Sequence, residues 1–244
     1  MRLKLISCEV LCRELSVLIP QSPHQIDAEF VPIGLHDLGA QMRTQIQERI
    51  DAVDPSAYDH LILGYASCGT GTAGIIARSL PIVITRAHDC IGVLMGSRRR
   101  FQEYFDAHSG VYFGSPGWFG DRRPASQSAC GGAKCGQGMQ TDLDELIARF
   151  GEENGKYVFE QLTRFTITYD QLTYIRTGVE TEATFQGQAQ AEAEKRGWRF
   201  ETIEGSLSLL KRLLNGEWNA ADFLIVPPGK TIRAGYGESI FEAT

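Results

Sequence analysis

No apolar run in this chain approaches the roughly 20 residues that cross a bilayer, so no membrane-spanning helix is expected. The opening stretch MRLKLISCEV is basic, but its apolar part is too short for a secretory signal. Positive charge is not in excess either. The 24 Lys and Arg are outnumbered by 30 Asp and Glu, giving a formal net charge of -6, whereas a protein that tracks phosphates gathers basic residues on one face. Nucleic acid is therefore not an expected partner. The one basic run, Arg98, Arg99 and Arg100, lies in a helical pattern and reads as a solvated face or a carboxylate partner. Close cysteine pairs of the C-x2-C type, which deliver two metal ligands from one turn, are also missing. Together these absences point to a cytoplasmic chain with reduced thiols, where dispersed cysteines mean metal or catalysis more often than disulfides.

The 244 residues, 43% of them hydrophobic, suffice for a core that needs no disulfide or metal to fold. The pattern along them is α/β. LKLISCEV and AEFVPI have strand length, and LGAQMRTQIQERIDAV places Leu38, Met42, Ile46, Ile50 and Val53 at helical spacing. DHLILGYA is a nearly continuous apolar run, as a strand covered on both faces should be. GTAGIIARSL reads as a short helix, PIVITR as a strand, IGVLMGSRRRFQEYFDAH as one longer helix and GVYFGS as the strand closing the series. Alternation of this kind predicts a mostly parallel, doubly wound sheet with helices on both faces. A Gly/Pro/Ser-rich stretch over 118–140 then loses all periodicity. From Thr141, a helix cap, the chain alternates again: LTYIRTG, RFETIEG and FLIVPPG as strands, QAQAEAEKRG and SLLKRLLNG as helices, with Gly197 and Gly216 at C-cap positions. The expectation is two Rossmann-like lobes, 1–117 and 141–244, joined by the 118–140 loop, with a cleft between them. No internal repeat is visible, and the chain is compatible with a homo-oligomer.

Three of the six cysteines sit where a predicted strand runs out: Cys8, Cys68 and Cys90. Parallel neighbours would bring them to one sheet edge, the edge at which open α/β sheets bind ligands. Thiolates there are ligands for zinc or an iron–sulfur centre. Each cysteine alone also reads as a small hydrophobe at a strand end; it is the coincidence of three at one edge that favours shared ligation or catalysis. Cys12, one helical turn beyond Cys8, reads as packing inward. Cys130 and Cys135 are spaced C-x4-C in the glycine-rich loop, a weak cluster pattern by itself.

His36 with Asp37, and His88 with Asp89, follow predicted strands at the same edge. Imidazole is a neutral metal ligand and a proton carrier, although either Asp could simply cap the next helix. Glu9 is a candidate acid or base, or else a partner for an arginine such as Arg86. Gly69, Gly71 and Gly74 spell G-x-G-x-x-G after a strand and before a predicted helix, where backbone N–H groups can meet an anion. Cys68 at the tip of that turn, and its position on the third strand, favour a small anion held by Gly69, Thr70 and Gly71 over a dinucleotide, so NAD is not expected. Trp118 and Phe119 read as core or cleft wall, and Lys230 as a surface lysine or anion anchor. His24, His60 and His108 read as structural.

The stretches ISCEVLCREL, GLHDLGA, LILGYASCGTGTAG, ITRAHDCIGVLMGSRRRFQEYF, YFGSPGW, EGSLSLLKRLLNGEW and DFLIVPPGKTI resemble domain-of-unknown-function family 1638 of bacteria and archaea. The resemblance spans nearly the whole chain and puts Cys8, Cys68, His88, Asp89 and Cys90 in the family's signature segments. It implies no established reaction, but it implies a setting, since such proteins are often encoded beside corrinoid-dependent methyltransferase systems. The segment from Asp121 to Gln140 is unlike the family pattern.

The reading that follows is a metal-dependent enzyme, a lyase, hydrolase or methyltransferase acting on a small polar or methylated molecule. Cys8, Cys68 and Cys90 hold a three-cysteine [4Fe–4S] cluster or zinc, with one position open to substrate. His88 and Asp89, with His36 and Glu9, supply protons or orient ligands. One alternative is a non-catalytic metal- or corrinoid-binding accessory protein serving a methyltransferase. Another is a metal-free enzyme with Cys68 as nucleophile, which requires a lowered thiol pKa.

Overall fold

Alternating burial along the strands accounts for the architecture. In the computed structural model, which describes residues 1–33, 39–68, 71–108, 110–119, 147, 151–163, 169–180, 184–235 and 240–244, the first half runs β1 (Arg2–Cys8), α1 (Cys12–Leu18), β2 (Gln25–Val31), α2 (Gly39–Asp51), β3 (His60–Gly64), β4 (Ile82–Thr85), α3 (Cys90–Leu94), α4 (Arg98–Ala107), β5 (Val111–Gly114) and α5 (Pro116–Phe119). The second half runs α6 (Glu152–Thr163), β6 (Gln171–Arg176), α7 (Thr184–Arg196), β7 (Arg199–Glu204), α8 (Ser208–Leu214), β8 (Phe223–Val226), β9 (Ile232–Ala234) and β10 (Phe241–Ala243). The result is a mixed α/β fold with a mostly parallel central sheet.

That central sheet has five strands in the order β2-β1-β3-β4-β8. β1 pairs in parallel with β2 and β3, and β3 with β4, whereas β8 lies antiparallel to β4. Side chains two apart share a face, and the core divides accordingly. Leu3, Leu5, Ile62 and Val83 join α1, α3 and α8 in one buried cluster. Ile6, Leu61, Leu63, Ile82 and Ile84 join α2 in another. Met42, Ile46 and Ile50 are the buried stripe of α2, as their spacing predicts. A second, three-stranded parallel sheet has the order β5-β6-β7.

Sheet membership departs from the expected division of the chain. GVYFGS does not close the first sheet, because β5 pairs with β6. FLIVPPG does not join the later strands, because β8 runs along β4 from Ile82↔Val226 to Thr85↔Phe223. Short apolar runs state that a strand is buried without naming its neighbour.

Two helices also differ from expectation. GTAGIIARSL forms turns, not a helix: Gly74 takes φ +94, and Ile76 makes an isolated antiparallel bridge to Thr231. The single helix expected over IGVLMGSRRRFQEYFDAH is broken into α3 and α4. Gly96 takes φ +74 between them, and Ser97 caps α4 by accepting from the Arg100 N–H at 3.4 Å. Glycine in the left-handed region followed by a serine cap is a stop and a start in succession. Gly197 and Gly216, at φ +69 and +74, occupy the predicted C-cap positions. Thr141, Cys130 and Cys135 lie outside the described residues, and among the described residues no helix is long and apolar enough to cross a membrane.

Candidate functional site

β1, β3 and β4 are adjacent and parallel, so their C-terminal ends open onto one edge. Cys8 is the last residue of β1. Cys68 lies four residues past β3 and Cys90 opens α3, five past β4, so both belong to loops rather than to the strand ends themselves. Those loops continue the pairing of their strands: the Ser67 N–H donates to Ala87 O at 3.0 Å and the Cys68 N–H to His88 O at 2.8 Å. Thr72 Oγ1 closes the turn beneath by donating to Ala66 O at 3.0 Å.

Cys68 carries the backbone signature of this edge. At φ 47 it is the one positive-φ residue other than glycine among the described residues, a conformation that costs of order 1–2 kcal/mol for an L side chain. A glycine would be unstrained there.

The three thiols sense one another. Burial is the largest influence on each, raising Cys8 to about 11 and Cys68 to about 12, and lifting Cys90 well above its ordinary value. Charge on Cys8 raises Cys68 further, and charge on both raises Cys90. Each of the three residues keeps some accessible surface. Cys8 and Cys68 border the buried clusters on both sheet faces. Among the described residues, no group of three or more His, Cys, Asp or Glu is arranged to hold a single metal ion.

The neighbours divide into those at the edge and those engaged elsewhere. Asp89 caps α3, its Oδ1 accepting from the Gly92 N–H at 3.0 Å. Burial nevertheless raises its pKa, against two backbone hydrogen bonds and the charge of His88. His88 is exposed and lies 6.4 Å from the Phe101 ring. Glu9 accepts from the Ile33 N–H through Oε2 at 3.3 Å. Arg86 donates to the carbonyls of Phe223 and Phe241 at 3.2 and 2.6 Å. Cys12 stands apart, with its sulfur 3.8 Å from Ser16 Oγ. His36, Asp37, Gly69 and Thr70 lie outside the described residues.

Of the anion cradle expected from Gly69, Thr70 and Gly71, only Gly71 lies among the described residues. The Gly71 N–H donates to Cys68 O at 3.2 Å and the Gly74 N–H to Ile232 O at 2.7 Å, so both donors are spent on carbonyls and no helix follows to add its dipole. A Cβ at Gly71 would lie 2.2 Å from Met42 Cε; the glycine is there for packing. Lys230 is exposed. Trp118 packs between the first core and the smaller cluster over the second sheet.

Tyr65 was not anticipated. Its phenol is buried, and the charges of Cys8 and Cys68 push its pKa up beyond the effect of burial. In sequence it looks like the continuation of LILGYA. Glu14 was also missed, although it occupies an apolar-stripe position with Leu11, Leu15 and Leu18, and a carboxylate on a core face is a readable signal.

The fold defines a class: a mixed α/β protein with a mostly parallel central sheet, in which β1 ends on Cys8 and the loops after β3 and β4 carry Cys68 and Cys90. The chain belongs to the family described as protein of unknown function (DUF1638), which it matches over residues 30–214. No curated protein and no solved structure matches it.

Proposed function

We propose that Cys8, Cys68 and Cys90 hold an iron–sulfur cluster and that the protein is a metal-dependent enzyme acting on a small polar or methylated molecule. The observation that carries this reading is placement: Cys8 ends β1, and the loops after the adjacent parallel strands β3 and β4 carry Cys68 and Cys90, each partly accessible, with the Cys68 N–H bonded to His88 O at 2.8 Å. Buried thiols that raise one another's pKa are poor isolated nucleophiles and good ligands, because a cationic centre relieves both burial and repulsion at once. Three thiolates suit a soft centre, an iron–sulfur cluster or zinc. When bound, the cluster supplies an open iron as Lewis acid. Asp89, held in place as the α3 cap and raised in pKa by burial, is the candidate proton donor, followed in this role by the exposed His88 beside it in sequence. Two lobes closing a cleft over this edge, in a cytoplasmic protein, complete the reading.

The metal-free nucleophile is disfavoured, since it needs a lowered pKa at Cys68 and burial drives that thiol the other way. An accessory protein that hands its metal or corrinoid to a methyltransferase keeps the same ligands but no open position. Anaerobic purification, or reconstitution with iron and sulfide, followed by metal and acid-labile sulfide analysis and a visible spectrum, tests the reading. Iron and sulfide together with broad visible absorption are expected. Zinc alone, or no metal after reconstitution, overturns the cluster.

A further inference from the structure

One charge at the carboxyl end of the central sheet rests on carbonyls alone among the described residues. Arg86 follows the last residue of β4 and precedes Cys90 by four residues. Its backbone N–H donates to Asp222 O at 2.7 Å and so carries the β4–β8 pairing one step further. Its partly buried side chain reaches from β8 to β10: Nε donates to Phe223 O at 3.2 Å and Nη1 to Phe241 O at 2.6 Å. Those carbonyls take two of the guanidinium's five donors and hold it in place. Nη2 bonds to no described residue, yet it is not one of the buried atoms left without a partner, so it meets the surface.

The charges around Arg86 leave it unbalanced. Among the described residues no carboxylate makes an ion pair with it. Asp222, whose carbonyl it meets, gives its own carboxylate to Arg212 at 2.8 Å. Glu242 acts on Arg86 through space, but it is exposed and stands opposite Arg233 across the β9–β10 pair. Arg98, the first residue of α4, adds a second positive charge. Burial and then the charge of Arg98 lower the Arg86 pKa, with Glu242 acting in the opposite sense. Carbonyls satisfy donors without answering the charge, and a partly desolvated cation beside another is costly until an anion joins them.

We propose that Arg86 is an anion-binding residue of this edge, taking an oxyanion group of a small substrate, carboxylate or phosphate, on Nη2. The inference deepens the function proposed above, on which it rests for the place of the chemistry: the small polar molecule gains a negative charge. Open α/β sheets hold ligands at the carboxyl ends of their strands, and a guanidinium matches an oxyanion in charge and in the spacing of its N–H groups. An oxyanion there also relieves the repulsion between Arg86 and Arg98. A purely structural Arg86, clasping β10 to β8, accounts for the two carbonyl bonds but not for a cation left with an open amino group.

Modification of the metal-free wild-type protein by phenylglyoxal, followed residue by residue by peptide mass spectrometry, tests the proposal at an ionic strength held constant with chloride. Acetate or phosphate at about ten times its Kd should slow the reaction of Arg86 by about tenfold, and the anion that protects names the group. Arg99, exposed and paired with Glu103 on α4, is the control and should react at the same rate throughout. The rise in Tm that the protecting anion gives the wild type should be lost in Arg86→Gln and partly kept in Arg86→Lys. An Arg86 that is inert to the reagent, or that neither anion protects, overturns the proposal, as does an undiminished rise in Tm in Arg86→Gln. The wild-type rates alone decide if a variant does not fold. Iron and sulfide analysis stays separate: protection without a cluster strikes the metal reading alone, and a cluster without protection strikes this one alone.

Discussion

The two parallel sheets gather buried acids at corresponding places and do so with opposite chemistry. Where β1, β3 and β4 end, the groups are thiols that keep some contact with solvent. Where β6 ends, they are carboxylates, and Glu14 is sealed. Burial raises pKa values at both ends, but the consequences differ. A thiol that keeps its proton is stable until something better than a proton, such as a soft metal centre, displaces it. A carboxyl sealed as Glu14 is has access only to the proton. The first edge keeps partly accessible thiols and the second seals Glu14 against Thr177, and α1, which opens four residues after Cys8, belongs to both.

The junction of the two regions gives the largest expected effect on stability. A Cβ at Gly117 would stand 1.9 Å from the carbonyl oxygen of Val10, so α5 meets the turn after Cys8 backbone to backbone and no side chain can yield. Gly117→Ala should lower stability by about 1–3 kcal/mol or more in denaturant unfolding. An unchanged midpoint would mean that the two regions do not rest on each other there.

The pH windows separate the regions next. Cys8 and Cys68 are raised from 9.0 to about 11 and about 12, so the metal-free protein should lose stability as pH climbs from 9.0 through those values. Glu14, raised by burial from 4.5, acts far lower. Loading the thiols with metal should abolish the alkaline loss and leave the lower window in place. Loss of both windows together would mean that one set of groups governs both.

A smaller effect tests the strain at Cys68. Comparing Cys68→Gly with Cys68→Ala removes the side chain in both and differs only in tolerance of φ 47. The glycine variant should be the more stable by about 1 kcal/mol in thermal unfolding. Equal stability would remove the argument that backbone energy is spent to aim this thiol.

Much of this arrangement was legible in the sequence, for identifiable reasons. Continuous apolar runs such as LILG and IVIT announced strands covered on both faces, and Met42, Ile46 and Ile50 announced the buried face of α2. The placement of Cys8 at the end of β1, and of Cys68 and Cys90 in the loops after β3 and β4, needed only the parallel order of three strands, which short alternating elements favour. What escaped depended on partners far away in sequence. Nothing within FLIV says that it will lie antiparallel to β4, and nothing in VYFG says that it will leave the first sheet. The G-x-G-x-x-G pattern misled because Gly71 answers to Met42 and Gly74 to Ile232, contacts from distant segments. Glu14 was readable and passed over: it stands on the same helix face as Leu11, Leu15 and Leu18, where only a partnered carboxyl survives.

The most direct measurement is iron and sulfide content, after anaerobic reconstitution, of Cys8→Ser, Cys68→Ser and Cys90→Ser beside Cys12→Ser, whose sulfur lies 3.8 Å from Ser16 Oγ on α1. The account predicts that each of the first three loses the cluster and that the fourth keeps it. Retention of iron and sulfide by all three edge variants would contradict it.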